Sequence, residues 1–241
     1  MLRRAVLLDE LSYEEKQRLS RHYTPAKPPE ETHSFTPLTA RGECKCGIEE
    51  IDSQLSGHLA GFITEIVGMP GAGRTRLCVR YASVASKSGN VLWFDGDGSL
   101  HVPSGTQLSY IRVSDYLELF AYAHTIGSLL SEVSPVLIVF DSIASVLRGS
   151  AKEIKTRNTV VWGLVRELKM YALQHGIAVL MTNQFTQRPD RIGKMRLERS
   201  MGFFWSTVPA HVLEIRETGG KRELKLLEST TIKEFAPVVF K

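Results

Sequence analysis

The sequence predicts an α/β protein built on a doubly wound, mostly parallel sheet with an antiparallel hairpin at its C-terminal edge. Three observations carry that expectation. From Gly47 onward, apolar runs of strand length alternate with segments of helical periodicity, the pattern of successive strand–helix units. The run Phe62 to Val67 passes into the octet Gly68-Met69-Pro70-Gly71-Ala72-Gly73-Arg74-Thr75 and then into the helix-compatible stretch Leu77 to Ala85. Near the end, Val212 to Arg216 and Glu223 to Leu227 flank Thr218-Gly219-Gly220-Lys221, a hairpin signal.

Residues 1–40 read as a short helical arm and a Pro-rich linker, and residues 41–241 as the core. Leu2 to Tyr23 is amphipathic, with a capping box at Ser12-Tyr13-Glu14-Glu15, and Pro25, Pro28, Pro29 and Pro37 then break the periodicity. The arm is either a docking element for a partner or a tail packed on its own domain. Within the core, Ile48 to Leu55 has helical spacing. Strands are expected at Phe62 to Val67, Val91 to Asp95, Tyr110 to Val113, Val136 to Asp141 and Ile177 to Met181. Tyr116 to Val133 supplies a helix. So do Val160, Val161, Leu164, Val165, Leu168, Tyr171 and Ala172, with Gly176 as the stop.

The chain has 241 residues, 43% of them hydrophobic, enough for one well-cored domain. No apolar stretch reaches the ~18 residues of a membrane span, and acids follow Met1 too soon for a secretory signal. The expectation is a soluble intracellular chain with no membrane partner. Cys44, Cys46 and Cys78 lack the spacing of a structural zinc site and read as reduced thiols. Net charge is +4, but it is local. Arg148, Lys152, Lys155 and Arg157 oppose Glu153, and Arg188, Arg191, Lys194, Arg196 and Arg199 oppose Asp190 and Glu198. Each stretch nets +3, so the remainder nets −2 against that total.

The octet fits the pattern G-x-x-x-x-G-K-[ST], in which loop amides and a helix N-terminus surround a polyphosphate. Candidate nucleotide-binding residues are therefore Gly68, Met69, Pro70, Gly71, Ala72, Gly73, Arg74, Thr75 and the adjoining Arg76. Arg74 replaces the lysine of the pattern. A planar guanidinium still holds phosphate but places it differently from an ammonium, and misplacement by ~1 Å costs on the order of 10²-fold in rate. On such a sheet the ligand sits at the C-terminal ends of the strands. There Asp141 is the expected Walker B carboxylate, holding Mg²⁺ together with the Thr75 hydroxyl. Asp97 is a candidate to orient or deprotonate the attacking water. Asn183 and Gln184 are candidates to sense the γ-phosphate and pass its state to the basic loop behind them.

Gly47 to Leu55, Gly61 to Gly68, Leu137 to Ser142 and Leu180 to Gln184 together resemble the RecA-type recombinase core of the archaeal and eukaryotic recombinases and their paralogues. The similarity runs from about Thr39 to the C-terminus. The resemblance implies a RecA-like core, ATP and Mg²⁺ as cofactors, and catalytic roles for Asp97 and Gln184. It also implies that the two basic stretches line a path for single-stranded DNA. Phe185, Phe203, Phe204 and Trp205 flank the basic residues of the second stretch, as base-stacking groups or as core and interface residues.

Departures point to a paralogue. Asp97 stands for a catalytic glutamate, Arg74 for the lysine, and Phe35-Thr36-Pro37-Leu38 lacks the alanine of the Phe-x-x-Ala oligomerisation motif. The segment from Gly98 to Val136 is shorter than in the recombinases proper, and their N-terminal DNA-binding domain is not expected here. The function so implied is an ATP-binding paralogue in homologous recombination, with weak or no hydrolysis, assisting recombinase filaments on single-stranded DNA. Its partners would be another paralogue or the strand-exchange recombinase, in the nucleus of a eukaryote or otherwise in the cytoplasm. The alternatives are a structural subunit with a vestigial nucleotide site and an active DNA-dependent ATPase.

Overall fold

A computed structural model describes residues 43–98, 100–150, 154–189 and 193–241. The arm expected at 1–40 lies outside them. Among the described residues the elements are α1 (Glu49–Leu55), β1 (Ile63–Gly68), α2 (Arg74–Ala85), β2 (Val91–Asp95), β3 (Leu108–Arg112), α3 (Tyr116–Val133), β4 (Leu137–Asp141) and α4 (Ile143–Ser150). They continue with α5 (Ile154–His175), β5 (Ala178–Pro189), β6 (Met195–Arg199), α6 (Gly202–Ser206), β7 (His211–Thr218), β8 (Lys221–Ser229) and β9 (Val238–Phe240).

The strands form a nine-stranded sheet in the order β3-β2-β4-β5-β1-β7-β8-β9, with β6 paired to β5. All pairs from β3 to β7 are parallel, while β8 and β9 add antiparallel at the far edge. The expected mixed sheet is therefore present. Its central strands are continuous apolar runs because helices cover both faces.

Side-chain alternation divides the core into two layers. On one face Ile63, Phe94, Phe140, Val179 and Met181 pack against α3, α5 and Trp205. On the other, Ile66, Trp93, Val139, Leu180 and Leu213 pack against Leu77, Cys78 and Tyr81 of α2 and Ile51 and Leu55 of α1. The three thiols are free and buried in this second layer. Burial pushes the Cys46 thiol up to about 12.

Local signals account for the element ends. Asp115 caps α3, accepting from the Leu117 and Glu118 amides at 2.9 and 3.1 Å, while Glu118 accepts from the Ser114 amide at 2.6 Å. Gly219 and Gly220 join β7 to β8 with φ of 59° and 75°, the two positive angles that a tight hairpin turn of matching twist requires.

The region behind β5 departs most from expectation. β5 runs on for eight residues past Met181, so Asn183 and Gln184 lie within a strand rather than after one. The basic stretch behind them is the antiparallel hairpin β5–β6, in which Arg188 opposes Arg196 and Phe185 opposes Arg199, not an open loop. The chain continues as strand because β6 satisfies the backbone groups that would otherwise be bare.

Candidate nucleotide site and its connection to the β5–β6 hairpin

The octet forms the bend between β1 and α2. Gly73 is the N-cap of α2 with φ of 103°, a left-handed angle that glycine adopts without strain. Among the described residues no side chain caps this helix start, and its first turn carries no acid. Its leading amides and Arg74, Thr75 and Arg76 thus present positive potential at the loop, as an anion requires. Met69 and Gly71 are exposed and Ala72 is buried.

Asp141 ends β4 on the face shared with α2, in register with Asp95. It is 4% exposed and accepts a 2.5 Å hydrogen bond from the Thr182 hydroxyl. Burial raises its pKa, and hydrogen bonds from Thr182 and Thr75 oppose the rise. Asp97 and Arg74 are near enough to act on it electrostatically, so the structure brings Arg74, Thr75, Asp97 and Asp141 together. Asp97 itself is exposed. Its loop is organised by Asp95, whose carboxylate accepts from the Asp97 and Gly98 amides at 2.9 and 2.6 Å and from the Tyr110 hydroxyl at 2.9 Å.

Arg74 reaches across to β5 and donates to the Asn183 carbonyl. Strand parity then separates Asn183 from Gln184. Thr182 and Gln184 project to the α2 face, and Gln184 is in register with Gly68 at the start of the phosphate loop. Asn183 projects to the opposite face and is fully buried. The expectation that Asn183 senses a γ-phosphate is corrected: its side chain donates to Glu65 at 2.6 Å and to the Ser200 carbonyl at 3.0 Å.

Glu65, missed in the sequence reading, lies in the middle of β1 with no exposed surface. Besides Asn183 it receives Trp205 Nε1 at 2.6 Å and an Arg199 nitrogen at 2.7 Å. Burial raises its pKa, and Asn183, Arg199 and Trp205 hold the rise down. A carboxylate inside an apolar run was the available signal, because a buried charge must have partners.

Within the second basic stretch the side chains are placed differently from one another. Lys194 and Arg196 are exposed on the hairpin. Arg199 instead bridges Glu65 and Glu228, the latter at 2.9 Å. Trp205 is 1% exposed, so it is a core residue and not a surface for base stacking. Lys152 and Arg191 lie outside the described residues, and the side chains of Arg148, Lys155, Arg157, Arg188, Phe203 and Phe204 are likewise not described.

The donor set suits a magnesium-bound polyphosphate. A helix start without a side-chain cap, with Arg74 and Arg76, could hold the phosphates, and Thr75 and Asp141 could supply the hard oxygens that Mg²⁺ takes beside phosphate oxygens. Among the described residues no group of three or more acids, histidines or cysteines gathers to hold a metal alone.

Together, sheet order, phosphate loop and Asp141 define a RecA-like phosphate-loop core. In sequence the chain is 30% identical over 203 residues to DNA repair protein RAD51 homolog 4 of Bos taurus, covering 71% of this chain and 60% of that protein. It is 26% identical over 186 residues to DNA repair protein RAD51 homolog 3 of Cricetulus griseus, covering 59% and 50%. It is 27% identical over 139 residues to DNA repair and recombination protein RadB of Methanocaldococcus jannaschii, covering 52% and 66%. The chain belongs to the RecA-type recombinase superfamily as a paralogue of the strand-exchange recombinases. No protein-family model matches it. It spans 50 to 60% of the length of the two RAD51 homologues.

Proposed function

We propose that the chain is an ATP-holding recombinase paralogue that acts in homologous recombination, with slow or no hydrolysis, and that steadies a recombinase filament on single-stranded DNA. The observation that carries this reading is the register of Gly68 with Gln184. It sets the first residue of the phosphate loop beside the strand that continues into the basic hairpin. The relatives' roles in DNA repair supply the biological setting.

In this reading the amides of 68–76 and the Arg74 guanidinium hold the phosphates, while Thr75 and Asp141 hold Mg²⁺. Bound Mg²⁺ supplies neutralisation of phosphate charge. Asp97 orients a water, one methylene further back than a glutamate would. Gln184 relays occupancy of the site along β5 to Lys194 and Arg196, which neutralise DNA phosphates. A second paralogue or the strand-exchange recombinase is the protein partner, and the compartment is the nucleus in a eukaryote.

The test is the nucleotide recovered after purified protein is held for hours with ATP, Mg²⁺ and single-stranded DNA. Intact ATP near one per chain is the expected result. Absence of any retained nucleotide overturns the reading. A second reading, a structural subunit with a vestigial site, draws on the bond from Arg74 to the Asn183 carbonyl, which engages part of the guanidinium within the fold. It predicts that Arg74→Ala leaves recombination unchanged.

A further inference from the structure

We propose that Arg222 is a second cation of the polyphosphate site, supplied by the β7–β8 hairpin from outside the loop–helix motif. The inference rests on the nucleotide-holding reading above and deepens it.

Arg222 is the second residue of β8. It is held between two ladders, opposite Glu217 of β7 and opposite Phe240 of β9, so its backbone and the direction of its Cβ are fixed by strand pairing. Its guanidinium lies directly on the last glycine of the phosphate loop. A Cβ placed on Gly73 would stand 2.5 Å from Arg222 Nε and 3.0 Å from its Cδ. Gly73 immediately precedes Arg74 and Thr75, and its φ of 103° turns the chain into α2. A larger residue is thus excluded twice, by backbone angle and by the arginine.

The Arg222 Nε is buried and has no hydrogen-bond partner among the described residues. Glu217, the acid opposite it in the β7–β8 ladder, forms no ion pair with it among the described residues, while Glu223 and Glu214 lie on the other face of the hairpin, paired with Lys225 at 2.9 Å and Arg216 at 2.7 Å. Buried polar groups ordinarily find partners, and an orphaned guanidinium N–H beside a helix start with no side-chain cap suits an anion with several oxygens. Guanidinium is the side chain whose fork matches phosphate geometry. In a loop without its usual lysine, with Arg74 donating to the Asn183 carbonyl, Arg222 supplies phosphate-directed charge that the octet holds less of. The hairpin that reads in sequence as a mere sheet edge thereby becomes one wall of the site.

The experiment titrates the full chain with fluorescently labelled ATP and ADP in Mg²⁺, for wild type, Arg222→Ala, Arg222→Gln, Arg222→Lys and Arg74→Ala. The nucleotide-free unfolding midpoint of each is measured alongside. We expect Arg222→Ala and Arg222→Gln to weaken both nucleotides by about 10-fold, as the removal of one charge-assisted hydrogen bond implies. Arg222→Lys should retain most of the affinity, and the nucleotide-free midpoints should match wild type. Unchanged affinity in Arg222→Ala, with affinity abolished in Arg74→Ala, overturns the role of Arg222 and leaves the nucleotide reading standing. Equal weakening in all three Arg222 variants with lowered nucleotide-free midpoints also overturns it, assigning Arg222 to packing. No binding by wild type removes both.

Discussion

Arg199 and Glu65 form an ion pair at 2.7 Å in which the carboxylate is wholly buried and the guanidinium side chain is 15% exposed. The two residues come from different functional parts of the chain: Glu65 from the strand that feeds the phosphate loop, Arg199 from the end of the basic hairpin. Asn183 and Trp205 complete the donor set around the same carboxylate. Breaking a buried pair by removing one partner typically costs about 3–5 kcal/mol, because the other charge is left unpaired.

Arg199→Met should therefore destabilise the protein by about that amount, with a defined pH dependence. Burial already raises the Glu65 pKa, and Arg199 holds the rise down. Without Arg199 it rises further, so the folded state binds its proton more tightly than the unfolded state does. Stability from such a group is fully present below the unfolded pKa and lost as pH rises through the folded one. Urea midpoints for variant and wild type should lie closer at pH 5 than at pH 8. A gap independent of pH would remove Glu65 from the explanation.

Trp205→Phe keeps the packed ring but deletes the N–H that reaches Glu65 at 2.6 Å. The expected cost is about 1–3 kcal/mol, the penalty of a buried acceptor losing a donor. Trp205→Ala should cost more, about 3–5 kcal/mol, from the cavity. Calorimetry on both variants separates the two contributions. If Phe costs nothing, the indole contributes only volume.

If the proposed function holds, Arg74→Lys combined with Asp97→Glu should raise ATP turnover by at least about 10-fold, by restoring the lysine and the longer carboxylate that in-line attack is expected to use. Phosphate release measures it. An unchanged rate places the block elsewhere.

Charge reversal at Lys194 and Arg196, both exposed, should weaken single-stranded DNA binding, with the unfolding midpoint measured alongside. The slope of log affinity against log salt should fall by about 1.4, roughly 0.7 for each DNA phosphate no longer neutralised. Filter binding across a salt series reads both quantities. Retention of the full slope would exclude β6 from the DNA path.

Elements with strong local periodicity were legible in the sequence. Val91–Asp95 and Tyr116–Val133 are observed with the expected ends, because apolar runs and helical spacing are properties of the segment itself. The extension of β5 through Thr182 to Pro189 was not legible. Those residues are mostly polar, and their strand conformation depends on pairing with β6. Thr75, Asp97, Asp141 and Gln184 converge at the phosphate loop because sheet topology collects strand ends. Asn183 was misread for want of one fact: adjacent residues in a strand face opposite ways, and Asn183 was placed in a loop where that rule does not act. The reach of Arg74 to a carbonyl of β5 belongs wholly to tertiary packing.

The unbroken course of β5 has a mechanical consequence. It is anchored by parallel partners up to Asn183 and Gln184, beyond which, among the described residues, β6 alone accompanies it. Pro189 lies six residues past Asn183, about 20 Å of strand at ~3.3 Å per residue. Such a ribbon has the proportions of a lever: a tilt of about 5° at Asn183 would carry Pro189 through about 2 Å, given that strand rise. Displacements too small to disturb the core are thus enlarged where the hairpin meets its surroundings, with Glu65 at the fulcrum.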